Sequence, residues 1–310
     1  MGRRLGVLAS NISVGTVAAS RSEAAAADAY AAVTGAVDED VQDDAVGAGV
    51  SLRIVVAVKY VPDATGDRHF AEDLTTDREA VDGLLSELDE YAVEQALQIA
   101  DAADDAEITV VTVGPEDAKD ALRKALSMGA DKAIHVEDDA LHGTDIIGTS
   151  LVLAKAIEHA GYDLVVTGMA STDGTAGVVP ALLAERLGVP QVTLLSEVAV
   201  ADGKVTGRRD GDAASEQLEA SLPALVSVTD QSGEARYPSF KGIMAAKKKP
   251  VESLDLSDLG IDEAEVGLGG AWTAVETATQ RPPRTAGTIV KDEGEGGKQL
   301  AEFLAAQKFI

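Results

Sequence analysis

From residue 52 onward, short β-branched runs alternate with longer stretches of helical period. RIVVAVKYVPD (53–63) opens on an unbroken apolar run, the pattern of a strand buried on both faces. In SELDEYAVEQALQIADA, Val93, Ala96, Leu97 and Ala100 fall at i, i+3, i+4 and i+7, and Ser86 with Asp89 makes a capping-box pattern, so a helix is predicted. EITVVTVGP (107–115) predicts the next buried strand, with Pro115 starting a helix through Ala118, Leu122 and Ala125 that Gly129 stops. KAIHV (132–136) reads as a short strand, 143–161 as a helix with Gly161 at its C-cap, and YDLVVTG (162–168) as a strand. A further helix follows with Val179, Leu182, Leu183 and Leu187 on one side.

This alternation predicts right-handed crossovers and an α/β fold, a parallel sheet covered on both faces. VAVADGKVTGRR (197–208) departs from it, because Asp-Gly between two β-like runs reads as an added hairpin. SLPALVSVTD (221–230) returns to a buried strand. The domain is expected over 50–252, and an acidic, irregular arm with a final helix over 253–310, packing on a partner. Residues 1–49 are Ala-rich, then acidic, and show no steady apolar period. They read as a disordered extension or a mis-assigned start; the early Arg pair is only a weak echo of an export signal. The protein is expected in the cytoplasm.

Composition narrows the chemistry. The 310 residues carry 53 acidic and 26 basic side chains, a formal charge of −27. Such a field repels nucleic acid and anionic membranes, and acid spread along the whole chain suits a halophilic source. Aromatics are only 3%, so Ala, Val, Leu and Ile must build the core. With no cysteine there is no disulfide, thiolate metal site or cysteine-ligated cluster, and the four histidines have no metal-ligand spacing. Any electrons would travel on an organic cofactor.

TGMASTDGTAGVVP (167–180) follows a buried strand directly and so belongs at the carboxyl end of the sheet, where open α/β folds bind ligands. Gly168, Gly174 and Gly177 admit close approach, Ser171, Thr172 and Thr175 offer hydroxyls, and the next helix presents free N–H groups to an anion. The loop points to a phosphate, although it is neither a Walker A nor a GxGxxG motif, and a plain Gly-rich connection is the alternative. Asp173 has no base or acid partner fixed by sequence; His135 reads as a core residue. No hydrolytic constellation is visible, so the chain is expected not to be an enzyme in its own right.

ARYPSFKGIMAAKKKP (235–250) collects Lys241, Lys247, Lys248 and Lys249 in an otherwise acidic chain. A solvated loop is one reading. Phe240, Ile243 and Met244 beside the lysines favour another, an apolar anchor that charge steers to an acidic partner.

RYPSFKGIMAAKKKP strongly resembles the signature of the electron-transfer flavoprotein β subunit. IVVAVKYVPD, ELDEYAVEQAL, TVGPEDAKDALRKALSMGADKAIHV, DLVVTGMASTDGTAGVVP, GRRDGDAASEQLEASLPALVSV and GLGGAWTAVETATQRPPR resemble other segments of that family in order, from about residue 52 to the end. The resemblance implies a Rossmann-like domain that binds an adenine nucleotide, AMP or a second FAD. The partners it implies are an α subunit holding FAD, acyl-CoA or related dehydrogenases, and a quinone reductase. On matching positions Ala57, Ser86, Glu87, Leu88, Asp89, Val113, Gly168, Met169, Ala170, Ser171, Thr172, Asp173, Gly174, Thr175, Ala176, Gly177 and Val178 surround the nucleotide. Arg236, Tyr237, Phe240, Ile243, Met244, Lys247, Lys248 and Lys249 belong to the recognition loop, with Phe240 where the family commonly has a Leu anchor. Asp210 matches a Glu that helps orient the flavin domain. The Gly168 loop is one residue shorter than usual, Ala170 replaces a common Gln, SELDEY lacks an Asn-Pro, and Lys241-Gly242 replaces Pro-Asn. AMP is the favoured occupant. Residue chemistry alone leaves open a stand-alone ATP-binding module of the universal-stress type, or an adenylate-forming or hydrolysing enzyme.

Overall fold

The apolar runs become the middle of a nine-stranded sheet. Its spatial order is β11 (Ser215–Ser221), β10 (Lys204–Asp210), β9 (Gln191–Ala201), β12 (Ala224–Val228), β8 (Leu164–Gly168), β3 (Leu52–Ala57), β6 (Ala106–Val113), β7 (Lys132–Val136) and β13 (Val251–Leu254). The structure, a computed structural model, describes residues 12–14, 17–19, 51–280, 282, 287, 289 and 291–310. Pairing is parallel from β9 to β13 and antiparallel across β9, β10 and β11. β8 and β12 are buried at every position, as their unbroken apolar sequences require.

Helices α1 (Glu87–Ala102) and α2 (Lys119–Met128) cover one face. There Val93, Ala96, Leu97, Leu122 and Ala125 meet Ile54, Val56, Val110 and Val166. Helices α3 (Ile146–Ala160) and α4 (Val179–Leu187) cover the other, with Val152, Leu153, Ile157 and Leu183 on Val55, Val111 and Val165. Both clusters are built without a buried aromatic, and His135 is fully enclosed with Nε2 at 2.9 Å from the Gly114 carbonyl.

The expected hairpin turns at Asp202 (φ +51°) and Gly203 (φ +71°), the left-handed pair of a type I′ turn. It is larger than the sequence reading had it. β9 begins at Gln191 and pairs with β12, and β11 adds a third antiparallel strand, so the hairpin extends the main sheet. Residues beyond 252 also contribute to the domain. β13 pairs with β7, and Leu254, Leu256, Leu259, Ile261 and Val266 are buried against α3 and the sheet. The boundary expected at 252/253 therefore falls within a strand. The final helix, α7 (Gly296–Ala306), buries no residue; the short helices between α4 and it are α5 (Phe240–Ala246) and α6 (Gly267–Gly270).

Most of the stretch 1–49, read as a disordered extension or mis-assigned start, lies outside the described residues. Two pieces of it, β1 (Ile12–Val14) and β2 (Val17–Ala19), pair antiparallel with β15 (Ala278–Gln280) and β14 (Thr273–Val275) of the arm. No helix among the described residues is long and apolar enough to cross a membrane.

Candidate functional site

The chain runs from β3 to β6 and β7 on one side, then returns to β8 on the other side of β3. This reversal makes the carboxyl ends of β3 and β8 the switch point of the sheet, the crevice position at which open α/β folds bind ligands. Ala57 ends β3 and Gly168 ends β8, while Val113 ends the neighbouring β6.

The start of α1 is pressed into this crevice. Ser86 N–H donates to the Lys59 carbonyl (2.9 Å), and Lys59 N–H donates to Asp89 Oδ2 (2.8 Å). The expected capping box is thus corrected: Asp89 is held by Lys59 instead of reaching back to Ser86, and Ser86 makes no side-chain cap bond. A main-chain donor in a buried crevice outcompetes the local cap. The Ser86 hydroxyl is fully buried and has no hydrogen-bond partner. A buried polar atom left alone calls for an explanation.

Gly168 is needed here for contact, not for turning. A Cβ on it would lie 2.5 Å from Asp89 Oδ1 and 2.8 Å from the Leu88 carbonyl. Gly168→Ala is expected to lower stability by about 1–3 kcal/mol through overpacking, measured by denaturant unfolding.

Burial pushes the Asp89 carboxyl up to about 7, with the Asp173 charge adding to the rise and the Lys59 amide and charge and the Gly168 backbone opposing it. The folded state therefore keeps a proton that the unfolded chain releases above its ordinary 3.8. Asp89 costs nothing below that value, and stability falls as pH rises from 3.8 to about 7. Asp89→Asn should remove a decline on the order of a few kcal/mol, read from unfolding midpoints at about pH 5 and about pH 8.

Beyond Gly168 the loop folds inward and then out. Met169, Ala170, Ser171, Thr172 and Asp173 are half-buried; Gly174, Thr175, Ala176, Gly177 and Val178 are exposed. Asp173 Oδ1 accepts from Lys59 Nζ at 2.8 Å, and its Oδ2 lies 3.6 Å from Arg78 Nη2. Burial alone would raise the Asp173 carboxyl, but the Lys59 ammonium and the donors Ser171 and Gly174 N–H hold it at about 2. Arg68 donates to the Thr172 carbonyl at 2.6 Å, to the Asp63 carbonyl at 3.1 Å and to the Pro62 carbonyl, fastening segment 64–82 to the loop. Lys59, Arg68 and Arg78 escaped the sequence reading. Lys59 had a signal, a cation two residues past the end of a buried strand; the arginines had none. Among the described residues no group of acidic or histidine side chains could hold a metal ion.

The other end of α1 holds the basic strip. Arg236 donates from N and Nε to Glu94 Oε2 (3.0 and 2.8 Å), and from Nη2 to Glu94 Oε1 (3.1 Å) and Asp101 Oδ2 (2.9 Å). Gln95 donates to the Ser232 carbonyl at 2.8 Å. Lys249 Nζ donates to the carbonyls of Leu126 (3.1 Å) and Gly129 (2.9 Å) and to that of Ala130, capping the end of α2. Ser239 caps α5 through the Gly242 N–H, and a Cβ at Gly242 would lie 2.5 Å from the Ser127 carbonyl. Arg236 and Lys249 are therefore turned onto the chain itself. What projects is Tyr237 (93% exposed), Phe240 (81%), Ile243 and Met244, beside Lys247 and Lys248.

Asp210 lies apart, at the end of β10, where Ser196, Ser215 and Arg208 donate to its carboxylate. The Ser196 and Ser215 hydroxyls, then the Arg208 charge, hold it below the ordinary carboxylate value.

A family model described as electron transfer flavoprotein domain matches residues 73–259. The chain is 52% identical over 263 residues to the electron transfer flavoprotein subunit beta of Mycobacterium tuberculosis (strain H37Rv), covering 83% of this chain and 99% of that protein. The subunit beta of Megasphaera elsdenii is 33% identical over 270 residues, 84% of this chain and 100% of the other. That of Thermoanaerobacterium thermosaccharolyticum is 35% identical over 261 residues, with the same shares. A match of this length, on a mostly parallel sheet with its crevice at the β3/β8 switch point, means that the chain belongs to the electron transfer flavoprotein β-subunit family.

Proposed function

We propose that this chain is the β subunit of a heterodimeric electron carrier, in which it binds AMP at the β3/β8 crevice and docks flavin dehydrogenases through the segment carrying Phe240. The observation that carries the nucleotide reading is the buried, unpartnered Ser86 hydroxyl beside the close approach of α1 to Gly168. Ala57, Val113 and the main chain of Gly168–Val178 would surround the nucleotide; Pro180, at the start of α4, has no N–H to offer its phosphate. Asp210 would orient the flavin domain of the α subunit.

The FAD held mainly by the α subunit supplies the redox chemistry, accepting electrons from a dehydrogenase and passing them to a quinone reductase. This chain's part is to hold and to aim. Three of its four phenylalanines, Phe240, Phe303 and Phe309, are more than half exposed, an unusual use of scarce aromatics that suits partner contacts. Phe303 and Phe309, on and after α7, would face the α subunit. The charge of −27 suits a saline cytoplasm, where a Debye length of roughly 3 Å at 1 M salt leaves the apolar anchor to carry docking.

The test is transfer itself. The heterodimer is mixed with an acyl-CoA dehydrogenase and its substrate, and bleaching of the heterodimer's flavin is followed. Rapid bleaching that needs the dehydrogenase supports the reading; bleaching at the same rate without it, or none, counts against it.

A further inference from the structure

We propose that Lys59 and Arg78 are the phosphate-recognising pair of the nucleotide site, and that the Asp173 carboxylate is an internal competitor for them. The proposal rests on the nucleotide reading above and assigns residues to one part of that ligand.

The two cations come from different places, Lys59 from the end of β3 and Arg78 from segment 64–82, and converge on one carboxylate. Asp173 takes them as a phosphate edge would, one oxygen to Lys59 and the other to Arg78. Its side chain is almost wholly buried, while those of Lys59 and Arg78 remain about a third exposed. Lys59 has three N–H donors on its ammonium and one is used here. Arg78 also donates to the Tyr60 carbonyl at 3.2 Å, fixing its fork beside the crevice. The main chain of Lys59 is tied to the start of α1, where Ser86 N–H donates to its carbonyl. Arg68 is a positioning residue, because its guanidinium is taken up by the main-chain carbonyls of Pro62, Asp63 and Thr172.

Charge balance favours exchange. Lys59 and Arg78 outnumber the ionised Asp173 carboxylate by one charge, and the neighbouring Asp89 carboxyl, held up at about 7, is about half protonated at neutral pH and offsets only part of it. A monoester phosphate dianion matches both cations, and Asp173, on a loop whose next five residues are exposed, can swing out. Segment 64–82 then works as a strap, stapled to the loop by Arg68 and carrying Arg78 to the ligand.

The experiment uses the heterodimer stripped of nucleotide and titrated calorimetrically with AMP, adenosine and inorganic phosphate. The unaltered complex should bind AMP about a hundredfold more tightly than adenosine, the worth of two charge-assisted hydrogen bonds. Lys59→Met should weaken AMP about tenfold while adenosine itself is unchanged. Asp173→Asn should tighten AMP several-fold, because the competitor is gone. Equal affinity for AMP and adenosine would overturn the proposal and leave the nucleotide site standing; failure of both to bind would overturn the nucleotide reading itself. Weakening of AMP by Asp173→Asn would show that Asp173 is scaffold, and overturn its role as competitor. If that variant does not fold, Arg78→Gln reads the same pair: AMP must weaken about tenfold with adenosine unchanged, and no change overturns the assignment.

Discussion

Phe240→Ala is expected to slow reduction of the heterodimer by a dehydrogenase roughly ten- to a hundredfold at low dehydrogenase concentration. The side chain is 81% exposed on α5 and makes no part of the core. Burying a phenylalanine is worth about 1.5–3 kcal/mol, and about 1.4 kcal/mol is a factor of ten in affinity. The loss should appear in the dehydrogenase concentration needed for half-maximal rate, with the rate at saturation little changed. Bound nucleotide and flavin should be unaffected, since Phe240 stands on the strip and not at the crevice. Neutralising Lys241, Lys247 and Lys248 together should matter less, and less again as salt rises, because their contribution is steering. A triple lysine change that outweighs Phe240→Ala in high salt would contradict the anchor.

Arg236→Gln should be the most damaging single change in the docking segment, for a different reason. It strands the Glu94 carboxylate, which is nearly buried on α1. Breaking a fully buried pair costs about 3–5 kcal/mol; with Arg236 about one-third exposed, about 2–3 kcal/mol is expected. Burial by itself would raise the Glu94 carboxyl, but the Arg236 and Gln98 hydrogen bonds outweigh it and hold it below its ordinary 4.5. A lowered carboxyl contributes stability above the unfolded value and loses it as pH falls through the folded one. The difference between the unaltered protein and Arg236→Gln should therefore shrink below 4.5. Glu94→Gln combined with Arg236→Gln should recover most of the stability, because no buried charge is then left unpaired and Asp101, which also loses Arg236, is exposed to water. Denaturant unfolding of the four proteins closes the cycle. A double variant no better than Arg236→Gln would mean that Arg236 acts by packing.

The contrast between these two residues shows where the sequence was legible. Val93, Ala96 and Leu97 are buried as their period requires, and Asp202-Gly203 turns as its dipeptide requires, because both signals are local. Lys59 with Asp173 is 114 residues apart and Arg236 with Glu94 is 142, and no spacing rule reaches that far. The Ser86/Asp89 capping pattern misled because the deciding partner, the Lys59 amide, comes from the adjoining strand end. The second half of β13 was read as the start of an arm because the sequence from Ser253 is acidic and irregular, and three of the four residues of this edge strand are exposed. In the basic strip the composition was read correctly but not its direction. Lys249 faces inward onto the carbonyls at the end of α2, while the neighbouring Lys247 and Lys248 do not figure in any ion pair among the described residues.

Helix α1 gives the architecture its working logic. Its first turn lies in the crevice through Ser86 and Asp89, and two turns later Glu94, Gln95 and then Asp101 grip the docking segment. One rigid element thus carries both proposed activities, nucleotide binding and docking. The measurement that tests this account most directly is a cofactor count on the chain co-expressed with its α subunit. The complex is purified in high salt, its ligands are released by acid, and FAD and AMP are quantified per heterodimer. The account predicts one of each. Two FAD and no AMP would contradict the AMP assignment and put a second flavin at 168–178, and failure to form a heterodimer would contradict the account as a whole.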